Sequence, residues 1–196
     1  QTAIMRDTGA DMVGSAVLAM RAASGLKPRL SYMRNDQLPR VAAGWDMADG
    51  LVLAQRNPQF GTTQLEAVRQ WLIGGGRLWV MLDQVDPAFM AQLLGEDWTV
   101  QIVDEVALPE LVIQGSRYSE RREFEDPVRM LRVLAPGYKV IHQIRGWPAS
   151  LRQHIGMGQV LITTVGARAW IADPTAKELA RPDLVARRPT ASLREL

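Results

Sequence analysis

The sequence contains no cysteine. That removes disulfides, thiolate nucleophiles, iron–sulfur clusters and cysteine-ligated zinc in one step. Histidine is nearly as scarce: His142 and His154 are the only two, 12 positions apart and outside any HExxH-type spacing. A histidine-built metal site is therefore not expected, and neither metal nor cofactor is assigned. No apolar run reaches the roughly 18–20 residues that cross a bilayer. Charge of one sign is missing too. The 23 Lys and Arg against 21 Asp and Glu leave a net charge of +2, too small for a nucleic-acid footprint. Neither GxxxxGK[ST] nor GxGxxG occurs. The one glycine cluster, Gly74-Gly75-Gly76, follows a helical pattern and precedes a strand pattern, the reverse of a phosphate loop.

What is present is a 196-residue chain, 47% hydrophobic and 22% charged, the length and composition of one globular domain. Residues 1–172 read as that domain and 173–196 as a tail or linker, because apolar periodicity fades into Pro, Arg and Ala from Arg181 onward. Its Arg187-Arg188 pair would favour anionic lipid beside a membrane. A strand pattern beginning directly after Gln1 reads as a domain excised from a larger protein.

Strand-like apolar runs alternate with helical patterns, the order that builds a parallel sheet covered by helices on both faces. Ala3 to Met5 opens as a strand. Met12, Val13, Ala16, Val17 and Met20 recur at helical spacing, and Ser24-Gly25 supplies a stop. Arg29 to Met33 and Asp46 to Ala54 follow as strands. Thr63 with Glu66 predicts a capping box for a helix over Thr62 to Ile73, with Leu65, Val68 and Leu72 as its apolar stripe. Gly74-Gly75-Gly76 ends that helix, and Leu78 to Leu82 continues as a core strand. Asp86-Pro87 then reads as N-cap and first residue of a short helix ended by Gly95. In the second half, strands are expected at Thr99 to Val103, Glu110 to Ile113, Met130 to Leu134, Tyr138 to Ile144 and Gln159 to Val165. Asp173-Pro174 starts a brief helix at most.

The order of strand Gly50 to Ala54, capped helix Thr62 to Ile73, Gly74-Gly75-Gly76 and strand Leu78 to Leu82 resembles the middle of class I glutamine amidotransferase-like domains. The stretch Gly156-Met-Gly158-Gln-Val-Leu-Ile162 is similar to a closing turn and strand in amidotransferase-like domains of bacterial envelope proteins. The resemblance covers roughly residues 1–172. It implies a flavodoxin-like α/β fold, a three-layer sandwich with a mainly parallel central sheet and a strand-rich C-terminal half. In active members it also implies a cysteine on the turn after the strand matching Leu78 to Leu82, with a later histidine and glutamate. Here that turn reads Asp83-Gln84-Val85, and neither histidine stands in a His-x-Glu pair. A degenerate member without the catalytic apparatus is therefore expected, with no catalytic residue assigned.

Ligands in open α/β sheets bind beyond the carboxyl ends of the strands. The candidate ligand-binding residues are accordingly Asp83, Gln84 and Asp86 after one such strand, and Arg56 and Asn57 after another. Trp147-Pro148 could serve a partner or stack on carbohydrate, His142 reads as a packed histidine, and His154 as exposed. Flavin binding would need phosphate-holding groups at Asp7-Thr8-Gly9. The leading functional expectation is a non-catalytic ligand-binding or protein-interaction module of a larger, membrane-anchored bacterial protein on the periplasmic or extracytoplasmic side. Its partners would be other domains of the same polypeptide, envelope proteins or a small molecule. The alternative is a carboxylate-dependent hydrolase with its site near Asp83, which predicts a pocket there holding at least two acids of perturbed pKa.

Overall fold

The computed structural model describes residues 1–6, 11–172, 189–190 and 192–195. The expectations placed on Asp7-Thr8-Gly9, Asp173-Pro174, Arg181 and Arg187-Arg188 fall outside these. The first half follows the alternating pattern: β1 (Thr2–Arg6), α1 (Asp11–Ala23), β2 (Leu30–Tyr32), β3 (Gly50–Ala54), α2 (Thr62–Ile73), β4 (Arg77–Met81) and α3 (Pro87–Leu94). Side chains along a strand point to opposite faces in turn, and the apolar residues here obey that period. Met5, Leu53, Val80 and Ile162 enter one core with Val68 and Leu72 of α2 and Met90 and Leu93 of α3. Ile4, Val52, Trp79 and Leu161 enter a second core on the other face, against Val13, Ala16 and Val17 of α1. Strands buried on both faces must be apolar throughout, which is why they read as unbroken hydrophobic runs.

Local signals around α2 need one correction. The helix is capped at Gly61, whose N–H donates to Gln64 Oε1 at 2.7 Å, so the cap falls two residues earlier than Thr63 and Glu66 and is one-sided, glycine having no side chain to return the bond. Glu66 instead accepts from Gln70 one turn on. Asp86 caps α3 as expected, accepting the Ala88 N–H at 2.9 Å with Pro87 behind it. Gly76 has no room for a side chain, since a Cβ there would stand 2.4 Å from the Trp71 ring.

The second half departs from expectation. It consists of β5 (Gln101–Gln114), β6 (Ser119–Leu134), β7 (Lys139–Ile144), β8 (Trp147–Ile155) and β9 (Gly158–Thr163). The sheet order is β2-β1-β3-β4-β9-β8-β7-β5-β6. Pairing is parallel from β2 to β9 and antiparallel from β9 to β6, and the antiparallel part holds the 14- and 16-residue strands. The sheet is therefore mixed and mostly antiparallel, which overturns the mainly parallel, flavodoxin-like sandwich. The antiparallel part also curls back on itself. Met130 of β6 bridges Val165, the Leu131 N–H donates to Thr164 O at 2.8 Å, and the Gly166 N–H donates to Arg129 O at 3.0 Å. Since Thr164 directly follows β9, these bonds close the second half into a barrel-like ring.

The reason for the miss is chemical. Pro109 and Pro127 interrupt β5 and β6, and proline inside a run argues against a strand. Here both sit in one irregularity, between the pairs Leu108↔Val128 and Glu110↔Glu123. Proline's missing donor costs nothing at a bulge. The segment Ser119 to Asp126 is so charged that it reads as loop, yet Arg122 and Phe124 point inward and are buried. Arg122 Nη1 spends its charge on the carbonyls of Ala169 and Ile171. Between β7 and β8 the two-residue turn Arg145-Gly146 has both φ values positive, 51° and 81°, as a tight hairpin with matching twist requires.

Pro189, Thr190 and Leu193, within the stretch read as tail or linker, pack onto the domain. Pro189 bridges Ile171, the Thr190 N–H donates to Trp170 O at 3.2 Å, and Leu193 is buried in the second core.

Candidate functional site

Two loops leave the carboxyl ends of neighbouring parallel strands. The one after β3 carries Arg56 and Asn57; the one after β4 forms a single 3-10 turn, Leu82–Gln84, that presents Asp83 and Gln84. The Asp86 N–H donates to Arg56 O at 3.1 Å and ties the loops together. All five residues singled out in the sequence, Arg56, Asn57, Asp83, Gln84 and Asp86, line one cleft of about 280 Å³. The opposite wall is Ile102 and Glu105 of β5 with Arg129 and Leu131 of β6. Asp86 faces the cleft while its carboxylate is spent on the cap of α3.

Asp83 occupies an unusual position. Gln84 Nε2 donates to its Oδ2 at 2.7 Å, whereas Oδ1 is sealed from solvent with no hydrogen-bond partner. Burial pushes the Asp83 carboxyl above its ordinary value; the bond from Gln84 and the Arg129 charge oppose this without overcoming it. Gly166 leaves space beside it: a Cβ at that position would stand 3.6 Å from Asp83 Oδ2 and 3.2 Å from Val128.

Glu105 has the opposite environment. Arg129 lies diagonally across the β5–β6 ladder on the same face, since its direct partner is Ala107, a spacing long side chains reach. Its Nε and Nη2 donate to the two Glu105 carboxylate oxygens, each at 2.6 Å. These bonds hold the Glu105 carboxyl below its ordinary value. The cleft thus contains one acid driven toward its protonated form and one driven toward its ionised form. Glu105 and Arg129 were not among the sequence candidates. The signal available was charge alternation, Asp104-Glu105 against Arg129 and Arg132, which has meaning only once the two segments are known to pair.

The other aromatic and histidine candidates lie elsewhere. His142 is fully buried, its Nδ1 2.7 Å from Ser150 Oγ and its ring edge-on to Trp170. His154 is exposed. Trp147 is half-buried against the second core, with the Arg132 guanidinium 5.1 Å from its ring centre. Among the described residues no group of three or more His, Asp or Glu is placed to hold a metal ion.

No protein-family model and no characterised protein matches the sequence. Solved structures do. The chain is similar to the cytoplasmic protein STM1381 of Salmonella typhimurium LT2, at 14% identity and TM-score 0.59 over 83% of this chain and 87% of that one. It is also similar to the exo-beta-1,4-mannosidase Op5Man5 of an Opitutaceae bacterium, at 16% identity and TM-score 0.56 over 97% of this chain and 36% of that one. For the beta-galactosidase of Bacillus circulans sp. alkalophilus the values are 11% and 0.60, over 99% of this chain and 29% of that one. The chain thus spans about a third of the length of these two glycosidases.

These likenesses bear on the fold. Together with the mixed, barrel-closing sheet they overturn the assignment to class I glutamine amidotransferase-like, flavodoxin-like domains. The expectation of a non-catalytic module in a membrane-anchored protein rested on that assignment and is corrected with it. Among the described residues no helix is long and apolar enough to cross a membrane.

Proposed function

We propose that this chain is a carboxylate-dependent hydrolase working in the Asp83 cleft. The carrying observation is the opposed pair of acids, Asp83 raised by burial and Glu105 lowered by Arg129. Environments that drive two carboxyls apart are how one site holds a proton donor and an ionised partner at the same pH. In this reading Asp83 protonates the leaving oxygen of the scissile bond. Glu105 stays ionised through its Arg129 bonds and draws the proton from an attacking water. Gln84 is a positioning residue that fixes the Asp83 carboxyl through its bond to Oδ2. A cleft of about 280 Å³ lies at the small end of ligand sites, which suits one ring or one acyl group rather than a polymer. The mannosidase and galactosidase likenesses support carbohydrate derivatives as the substrate class.

The test is a panel of chromogenic aryl glycosides and sugar acetates assayed from pH 4 to pH 8. Turnover is expected with a bell-shaped profile. Asp83→Asn and Glu105→Gln should each lower kcat/KM by about 10²-fold or more without lowering the unfolding midpoint. No turnover above buffer across the panel, or full activity in Asp83→Asn, refutes the reading.

A further inference from the structure

At the opposite end of the parallel strands, where β1, β3, β4 and β9 begin, lies a second cavity of about 150 Å³, separate from the Asp83 cleft. Its walls include Val17 and Met20 of α1, Trp79 of β4, Leu161 of β9 and Leu193 from the C-terminal segment. Native cores are close-packed and seldom keep a void of several water volumes. A space of this size accepts a benzene-sized molecule.

The polar residues of the lining are not scattered. Arg21 is 6% exposed at its side chain and locked in place: Nε donates to Lys27 O at 2.7 Å, and Nη1 donates to Thr2 Oγ1 at 2.6 Å and Asp49 Oδ1 at 2.8 Å. Asp49 therefore balances the Arg21 charge. Arg77 also lines the cavity and is exposed, on the first residue of β4. No ion pair of Arg77 occurs among the described residues. Among the described residues the mouth consequently carries positive charge in excess beside a mainly apolar interior. That combination discriminates against cations and against extended polar molecules.

We propose that this cavity is a binding site for a small carboxylate with an apolar body, of the size of hexanoate or benzoate. The apolar part occupies the space between Val17, Trp79 and Leu161. The carboxylate stays at the mouth and accepts from Arg77, a charge-assisted bond stronger than one between neutral groups. Leu193 borders the bound molecule, so the C-terminal segment docks more firmly when the site is filled.

Isothermal titration of the full chain with hexanoate and with benzoate, using hexanol as the neutral counterpart, tests this. Saturable one-site binding is expected for a carboxylate at a Kd below about 1 mM, with hexanol at least about tenfold weaker. Arg77→Gln, at an exposed position, should weaken carboxylate binding by about tenfold while leaving the hexanol signal and the unfolding midpoint unchanged. Val17→Phe should fill the cavity and abolish both signals. Absence of saturable binding in the wild-type chain overturns the proposal. So does hexanol binding as tightly as hexanoate, or an Arg77→Gln chain that binds the carboxylate unchanged.

Discussion

Gly158→Ala is the most exacting test of how the two halves of the sheet meet. Gly158 opens β9, the strand through which the parallel and antiparallel parts are joined, and it passes directly under the C-terminal turn of α2. A Cβ placed on it would stand 1.9 Å from Leu72 O, 2.6 Å from Gly76 O and 2.9 Å from the Leu72 carbonyl carbon. All three are backbone atoms, so no side chain can rotate away. Relief requires β9 to withdraw by about an ångström, which breaks the bonds that hold it there, Met157 N–H to Ile73 O at 2.9 Å and Gln159 N–H to Gly76 O at 3.0 Å. Two lost hydrogen bonds contribute about 1 kcal/mol each. Residual overpacking against rigid neighbours adds about 1–3 kcal/mol. The expected loss is therefore about 3–5 kcal/mol, a large share of the ~5–15 kcal/mol that keeps a domain folded. Urea unfolding followed by tryptophan fluorescence measures it. Gly137→Ala is the control, with φ at 87° and nothing within 4 Å of the added carbon, so only the backbone penalty of about 1–2 kcal/mol applies. If Gly158→Ala is no more destabilised than Gly137→Ala, the packing of β9 under α2 is wrong.

Asp83 should make stability fall as pH rises. Its folded pKa lies above the ordinary 3.8, so above about pH 4 the native state binds more protons than the unfolded one, and the loss accumulates until pH passes the folded value. Asp83→Asn should thus be more stable than wild type at pH 8, by about 1.4 kcal/mol for each unit of upward displacement, and equal to it at pH 3; a difference that does not change with pH refutes this. Trp79 Nε1 donates to Thr163 Oγ1 at 3.1 Å between two buried strands, so Trp79→Phe should cost about 1–3 kcal/mol by leaving the hydroxyl short of a partner. Adding Thr163→Val should cost less than the single effects imply, and strict additivity in urea unfolding would disprove the coupling. Leu193→Ala should cost about 2–4 kcal/mol if its buried side chain belongs to the second core, and a wild-type urea midpoint would show that it does not.

The parallel half was legible because its signals are local. Strands β1, β3 and β4 are apolar through their middles since both faces are covered, Gly74 ends α2, and Asp86-Pro87 announces α3. The small error at α2 arose because Thr63 and Glu66 have the right chemistry at the right spacing, and only the backbone shows that Gln64 reaches Gly61 first. In the antiparallel half, strand positions such as Met130 to Leu134 and Tyr138 to Ile144 were legible, but strand length and pairing were not, because these are set by partners rather than composition. In β6, Arg122 and Phe124 face inward while Arg121 and Glu123 face out, and a charged residue at an inward position destroys the apolar alternation on which strand recognition rests. The buried guanidinium is tolerated because the Ala169 and Ile171 carbonyls receive it, and those residues are nearly fifty positions away.

The same division explains why only part of the candidate site was visible. Asp83, Gln84, Arg56 and Asn57 follow from the rule that ligands meet the carboxyl ends of parallel strands, and that rule needs only the first half of the fold. Glu105 and Arg129 enter the cleft because β6 pairs back onto Thr164 to Gly166, a contact no local pattern contains. Magnitude then argues about purpose. The Glu105–Arg129 pair is roughly half exposed, at 44% and 50%, so solvent screening leaves it about 0–1 kcal/mol of stability. Asp83 is worse than neutral, since its burial with an unpartnered oxygen opposes folding above pH 4. Neither acid therefore stabilises the fold appreciably. Groups that contribute little or nothing to stability, yet are brought into one cleft from opposite halves of the chain with their protonation driven in opposite directions, are what the proposed hydrolase reading rests on.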